Sequence, residues 1–94
     1  MTYKLKFLPL ALKEWKKLAP PIQTQFKKKL AERLLEPRVQ SAKLRGYQDV
    51  YKIKLRTAGY RLAYEIVEDE LIVYVLAVGK RENDAIYKKL EQRI

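Results

Sequence analysis

Between Tyr51 and Tyr64 the chain reads YKIKLRTAGYRLAY, two alternating runs that meet at Thr57-Ala58-Gly59, and this pattern calls for a β-hairpin. Successive side chains on a strand point to opposite faces. Tyr51, Ile53 and Leu55 therefore share one face, and Lys52, Lys54 and Arg56 share the other. The alternation also selects a register. Pairing 55 with 60 and 53 with 62 places Tyr60, Leu62 and Tyr64 on the apolar face and sets Arg61 opposite Lys54, whereas a slip of one residue would drive charges into the core. Like charges facing one another across strands repel. Lys52, Lys54 and Arg61 thus form a cluster that a phosphate among them would relieve.

With 94 residues the chain is expected to form a single domain, 1–94, around one modest core. Its 21 Lys and Arg against 11 Asp and Glu give a formal net charge of +10, which favours an acidic partner: RNA, DNA, an anionic membrane or an acidic protein. Cysteine is absent, so disulfides and thiol-bound metal are excluded. Histidine is absent too, which removes the usual metal ligand and the usual general base near neutral pH. Catalysis would fall to Lys, Arg, Tyr or carboxylates, and neither metal nor cofactor is expected. The longest apolar run, Leu71 to Val78, is too short to span a bilayer, and the N-terminal stretch lacks the apolar segment of a signal peptide. A soluble, cytoplasmic chain is the expectation.

The remaining elements follow from spacing. Tyr3, Leu5 and Phe7 alternate with Lys4 and Lys6 as in a first strand. Pro9 suits a first helical turn, and Leu8, Ala11, Leu12, Trp15 and Leu18 recur at helical spacing, which makes Trp15 a core residue. Pro20-Pro21 ends this helix and begins another, in which Ile22, Phe26, Leu30 and Leu34 recur every four residues until about Leu35. Lys27, Lys28, Lys29 and Arg33 lie on its other side. A loop, Glu36 to Asp49, leads into the hairpin, and Glu68-Asp69-Glu70 turns into a central strand, Leu71 to Val78. Glu82 to Arg93 has helical character, with Ala85 or Ile86, Leu90 and Ile94 available for packing. The order β-α-α-β-β-β-α predicts an α+β domain: an antiparallel sheet, an N-terminal helical hairpin and a C-terminal helix. Helices are expected on one sheet face, leaving the basic face open. Glu14 and Glu65 show no metal or paired-carboxylate spacing and read as members of surface salt bridges.

These residues carry a resemblance. The stretches Ala11-Leu12-Lys13-Glu14-Trp15, Lys43-Leu44-Arg45-Gly46, Tyr51 to Arg56, Gly59-Tyr60-Arg61-Leu62 and Val78-Gly79-Lys80-Arg81, followed by Tyr87, resemble the RelE family of bacterial type II toxins within the RelE/ParE superfamily. The resemblance implies a microbial ribonuclease-like fold and a metal-independent endoribonuclease that cuts messenger RNA in the ribosomal A site. It also implies a RelB-like antitoxin as partner, with indirect DNA association through that antitoxin. By resemblance Lys54 is the base, Lys52 and Arg61 hold the phosphate, Arg81 acts at the leaving group and Tyr87 stacks on a base. Lys27, Lys28, Lys29, Arg45 and Arg56 are the further residues expected to contact RNA or the ribosome; for the three lysines, a solvated helix face is the competing reading. Two other functions remain open: a non-enzymatic toxin binding a protein target such as gyrase, and a basic module that coats RNA without cutting it.

The chemistry is feasible without histidine. A 2′-hydroxyl can attack the adjacent phosphate and leave a 2′,3′-cyclic phosphate and a 5′-hydroxyl. The protein must accept one proton, stabilise phosphoryl charge, allow the leaving oxygen to be protonated and align the atoms. Lysine serves as base near neutrality only if its pKa falls well below the ordinary value, and neighbouring cations push it that way.

Overall fold

The computed structural model describes residues 2–80, 82 and 85–93. Its elements are β1 (Lys4–Phe7), α1 (Pro9–Lys16), α2 (Pro20–Leu35), β2 (Val50–Leu55), β3 (Tyr60–Val67), β4 (Ile72–Lys80) and α3 (Ala85–Arg93), with short 3-10 turns at Gln40–Ala42 and Glu68–Glu70. The sheet order is β1-β4-β3-β2. The hairpin has the register that the alternation demands: Leu55 pairs with Tyr60, Ile53 with Leu62 and Lys54 with Arg61. Gly59, at φ +72°, closes the turn, a conformation that a side chain would strain.

The sheet is mixed, where an antiparallel one was expected. β4 pairs antiparallel with β3, but β1 lies parallel to β4. Parallel pairing needs a long crossover. The helices between Phe7 and Val50 supply it.

Helices cover both faces, which corrects the expectation of one covered face. On the first, Tyr51, Ile53, Leu55, Leu62 and Tyr64 pack beneath Ala11, Leu18, Phe26 and Leu30. Both helices of this layer begin with proline in the first turn, where no amide donor is needed. Trp15 is half-buried and packs against this core, its ring centroid 5.4 Å from that of Phe7 and 6.1 Å from that of Phe26. Phe26 and Leu30 are fully buried, each contributing about 1.5–3 kcal/mol. On the second face, Val50 and Ala63 interrupt the charges of the hairpin and join Leu44, Leu76 and Ala77 beneath Ile86 and Leu90 of α3. Those apolar positions are why this half of the face cannot stay open. A register shift at Ala63/Tyr64 skips Leu76 in the β3–β4 ladder, so Leu76 and Ala77 both serve the second cluster.

β1 accompanies β4 only from Ile72 to Val75. Beyond that point the outer edge of β4 is satisfied by side chains, as buried backbone groups require. Glu14 accepts the Val78 amide at 3.1 Å, Lys89 donates to the Val78 carbonyl at 3.0 Å, and Arg93 donates to the Leu76 carbonyl at 2.9 Å. Glu14 is therefore a half-buried link between α1, β4 and α3, and the reading of it as a surface salt-bridge residue is corrected.

Candidate nucleic-acid interface

The part of the second sheet face that α3 leaves open is the turn end of the hairpin, and its side chains are cationic. Lys54 is exposed, while Lys52 and Arg61 are half-buried. Arg61 faces Lys54 across one ladder and Gly79 across the other. The ammonium of Lys52 beside Lys54 pushes the Lys54 pKa below the ordinary lysine value, and Arg61 and Arg56 add to the effect. Lys52 is held from below: Arg33 of α2 donates to its carbonyl at 3.1 Å and to the Tyr64 hydroxyl at 2.8 Å, and that hydroxyl donates to the Pro37 carbonyl at 2.7 Å. The Tyr64 ring stacks on Tyr51 at 5.8 Å, so the strand carrying Lys52 and Lys54 rests on a fixed floor. Arg61 Nε is buried and has no hydrogen-bond partner among the described residues. A buried donor in that state costs about 1–3 kcal/mol, and an oxygen of a bound phosphate is the kind of acceptor it lacks.

Along the outer edge of β2 runs a groove of about 450 Å³ lined by Lys29, Arg33, Ser41, Lys52, Lys54 and Arg56. It joins α2 to the hairpin in one basic surface. Lys28 lines a separate groove with Gln25 and Glu32, and Lys27 is exposed on α2. Arg45 is exposed in the loop before Gly46. Tyr87 lies on α3, half-buried against the second cluster and so on the same sheet face as Lys52, Lys54 and Arg61. Arg81 and Ile94 lie outside the described residues. A larger groove, about 510 Å³, is lined mainly by Leu5, Phe7, Leu12, Ile72 and Tyr74. Its single lysine, Lys6, sits with Glu70, which is no setting for a phosphate.

The profile described as ParE toxin of type II toxin-antitoxin system, parDE, matches residues 5–85. The chain is also 49% identical to the mRNA interferase toxin RelE of Escherichia coli, over 94 residues that cover 100% of this chain and 99% of that one. The chain belongs to the RelE toxin family. An E. coli RelE mutant solved in the free state matches this RelE-family fold with a TM-score of 0.92 at 48% identity, covering 100% of this chain and 99% of that one. An E. coli RelE mutant solved with a peptide of the antitoxin RelB matches with a TM-score of 0.84 at 48% identity and the same coverage.

Two groups in this RelE-family chain were not among the site residues expected from the sequence. Arg33 and Ser41 complete the groove, and the four-residue step from Lys29 to Arg33 was the available signal, since such residues share one side of a helix. Glu14, Lys89 and Arg93 left no local signal: Glu14 and Arg93 are 79 positions apart.

Proposed function

We propose that this chain is a ribosome-dependent mRNA interferase, a cytoplasmic toxin that cuts messenger RNA in the A site and is neutralised by a RelB-like antitoxin. The single observation that carries the reading is the convergence of Lys52, Lys54 and Arg61 on the open end of one sheet face, in a chain alike over its full length to an mRNA interferase. In the reaction the 2′-oxygen forms a bond to the adjacent phosphorus as the bond from phosphorus to the 5′-oxygen breaks. Lys54, in its neutral form, takes the 2′-hydroxyl proton. Lys52 and Arg61 hold the non-bridging oxygens as charge builds on them. Arg81 stabilises the charge on the departing 5′-oxygen, which takes its proton from water to become the 5′-hydroxyl, because a guanidinium is a poor proton donor. Tyr87 stacks on a base and holds the strand out of its A-form arrangement. Lys29, Arg45 and Arg56 extend the cationic surface toward neighbouring phosphates, and Lys27 and Lys28 lie on the same helix.

Absence of histidine makes the ribosome a partner in alignment. A translation reaction programmed with one message, read by primer extension, tests this. Cleavage is expected on ribosomes and hardly at all on the same RNA in solution. Equal rates in both would refute ribosome dependence, and intact message alongside inhibited gyrase would favour the non-enzymatic class.

A further inference from the structure

Tyr87 reaches the basic face only as part of α3, a nine-residue helix whose buried apolar side chains are Ile86 and Leu90. A helix so short does not sustain itself in water. Tyr87 packs half-buried beside Ile86 and Leu90, and the polar attachments of the helix include a pair that meets on one carboxylate. Arg93 grips Glu14 through two parallel hydrogen bonds of 2.9 and 3.0 Å, and the Lys89 ammonium stands 2.6 Å from Glu14 Oε2. We infer that Glu14 is a positioning residue of the site: from α1, on the opposite face of the sheet, it reaches around the bare edge of β4 and fixes α3, and Tyr87 with it, beside Lys52, Lys54 and Arg61.

Three observations separate this clamp from an ordinary surface ion pair, which contributes little. Glu14 is itself anchored to the sheet through the Val78 amide. Its partners are anchored as well, Lys89 on the Val78 carbonyl and Arg93 on the Leu76 carbonyl, so no side chain must be ordered for the ion pair alone. Gly79, having no Cβ, leaves room for the tip of the Lys89 side chain, whose ammonium a Cβ there would meet at 2.9 Å. Gly79 is the ladder partner of Arg61, so the clamp sits one strand from the phosphate-binding cluster.

The consequence for cleavage rests on the interferase reading; the docking of α3 does not. Amide hydrogen exchange on the whole protein therefore comes first, comparing wild type with Glu14→Gln and Lys89→Met. Amides of α3 are expected to exchange on the order of 10- to 100-fold faster in both variants, the range for losing charge-assisted hydrogen bonds, while β2–β3 amides keep their protection. Wild-type exchange of α3 in both overturns the inference. If β2–β3 amides also lose protection in Glu14→Gln, Lys89→Met decides by the same criterion. Single-turnover cleavage on programmed ribosomes comes second. Glu14→Gln is expected to slow cleavage with ribosome affinity little changed, and to add no further loss to Tyr87→Ala, because the two act through one element. Multiplying losses in the double variant would contradict action through Tyr87. Should wild type cut no message on ribosomes, the interferase reading falls while the exchange result still judges the clamp.

Discussion

The proposed role of Lys54 as base depends on its neighbours. Lys52 two residues away and Arg61 across the ladder both disfavour its charged form, so its pKa lies below that of an ordinary lysine. A lower pKa means a larger neutral fraction at a given pH, and only the neutral form accepts a proton. The single-turnover rate should therefore rise with pH until Lys54 is titrated and then level off. Lys54→Ala is expected to lower that rate by roughly 10²- to 10⁴-fold, the range for a positioned acid or base. Lys54→Arg keeps the charge but does not deprotonate, so it should be similarly slow and gain nothing from higher pH. A nearly wild-type arginine variant would show that the position supplies charge alone. The pair Lys54 and Arg61 was legible from period-two alternation, because register follows from which side chains must be buried. The floor beneath Lys52 was not: Arg33 meets Lys52 and Tyr64 only after α2 has packed against β2.

Among the elements, α2 does most to hold the hairpin level. Phe26 and Leu30 fill the space under Tyr51, Ile53 and Tyr64. Phe26→Ala should destabilise the fold by about 3–5 kcal/mol in urea unfolding, through lost transfer energy and the cavity left behind. A loss under about 1 kcal/mol would mean that the helix collapses onto the gap. Helix boundaries were legible because Pro9, Pro20 and Pro37 punctuate them and the apolar residues of α2 recur every four positions. The direction of β1 was hidden, since four alternating residues show which face is apolar but not which way a neighbour runs. The side taken by α3 was hidden for a related reason. Its pattern shows that it is amphipathic, and only the apolar patch at Val50, Ala63 and Leu76 decides where it lands. The exposed reading of the whole basic face failed there, because Val50 and Ala63 looked minor between charged neighbours.

For the molecule as a whole, a formal net charge of +10 makes association a long-range electrostatic event. The continuous surface from Lys29 to Arg56 gives that charge a direction. Ribosome affinity should fall steeply with salt, the log–log slope changing by roughly 0.7 to 0.9 for each phosphate contact. Replacing Lys27, Lys28 and Lys29 with Ala should flatten the slope while single-turnover chemistry survives, and an unchanged slope would mark that helix side as merely solvated. The central claim is that this surface uses the RNA's own 2′-hydroxyl as nucleophile, and the ends of the cut message report on it directly. End-group analysis of message cleaved on ribosomes is expected to find a 2′,3′-cyclic phosphate on one fragment and a 5′-hydroxyl on the other, both forming far more slowly with Lys54→Ala. A 3′-hydroxyl facing a 5′-phosphate would contradict it, since water would then have been the nucleophile.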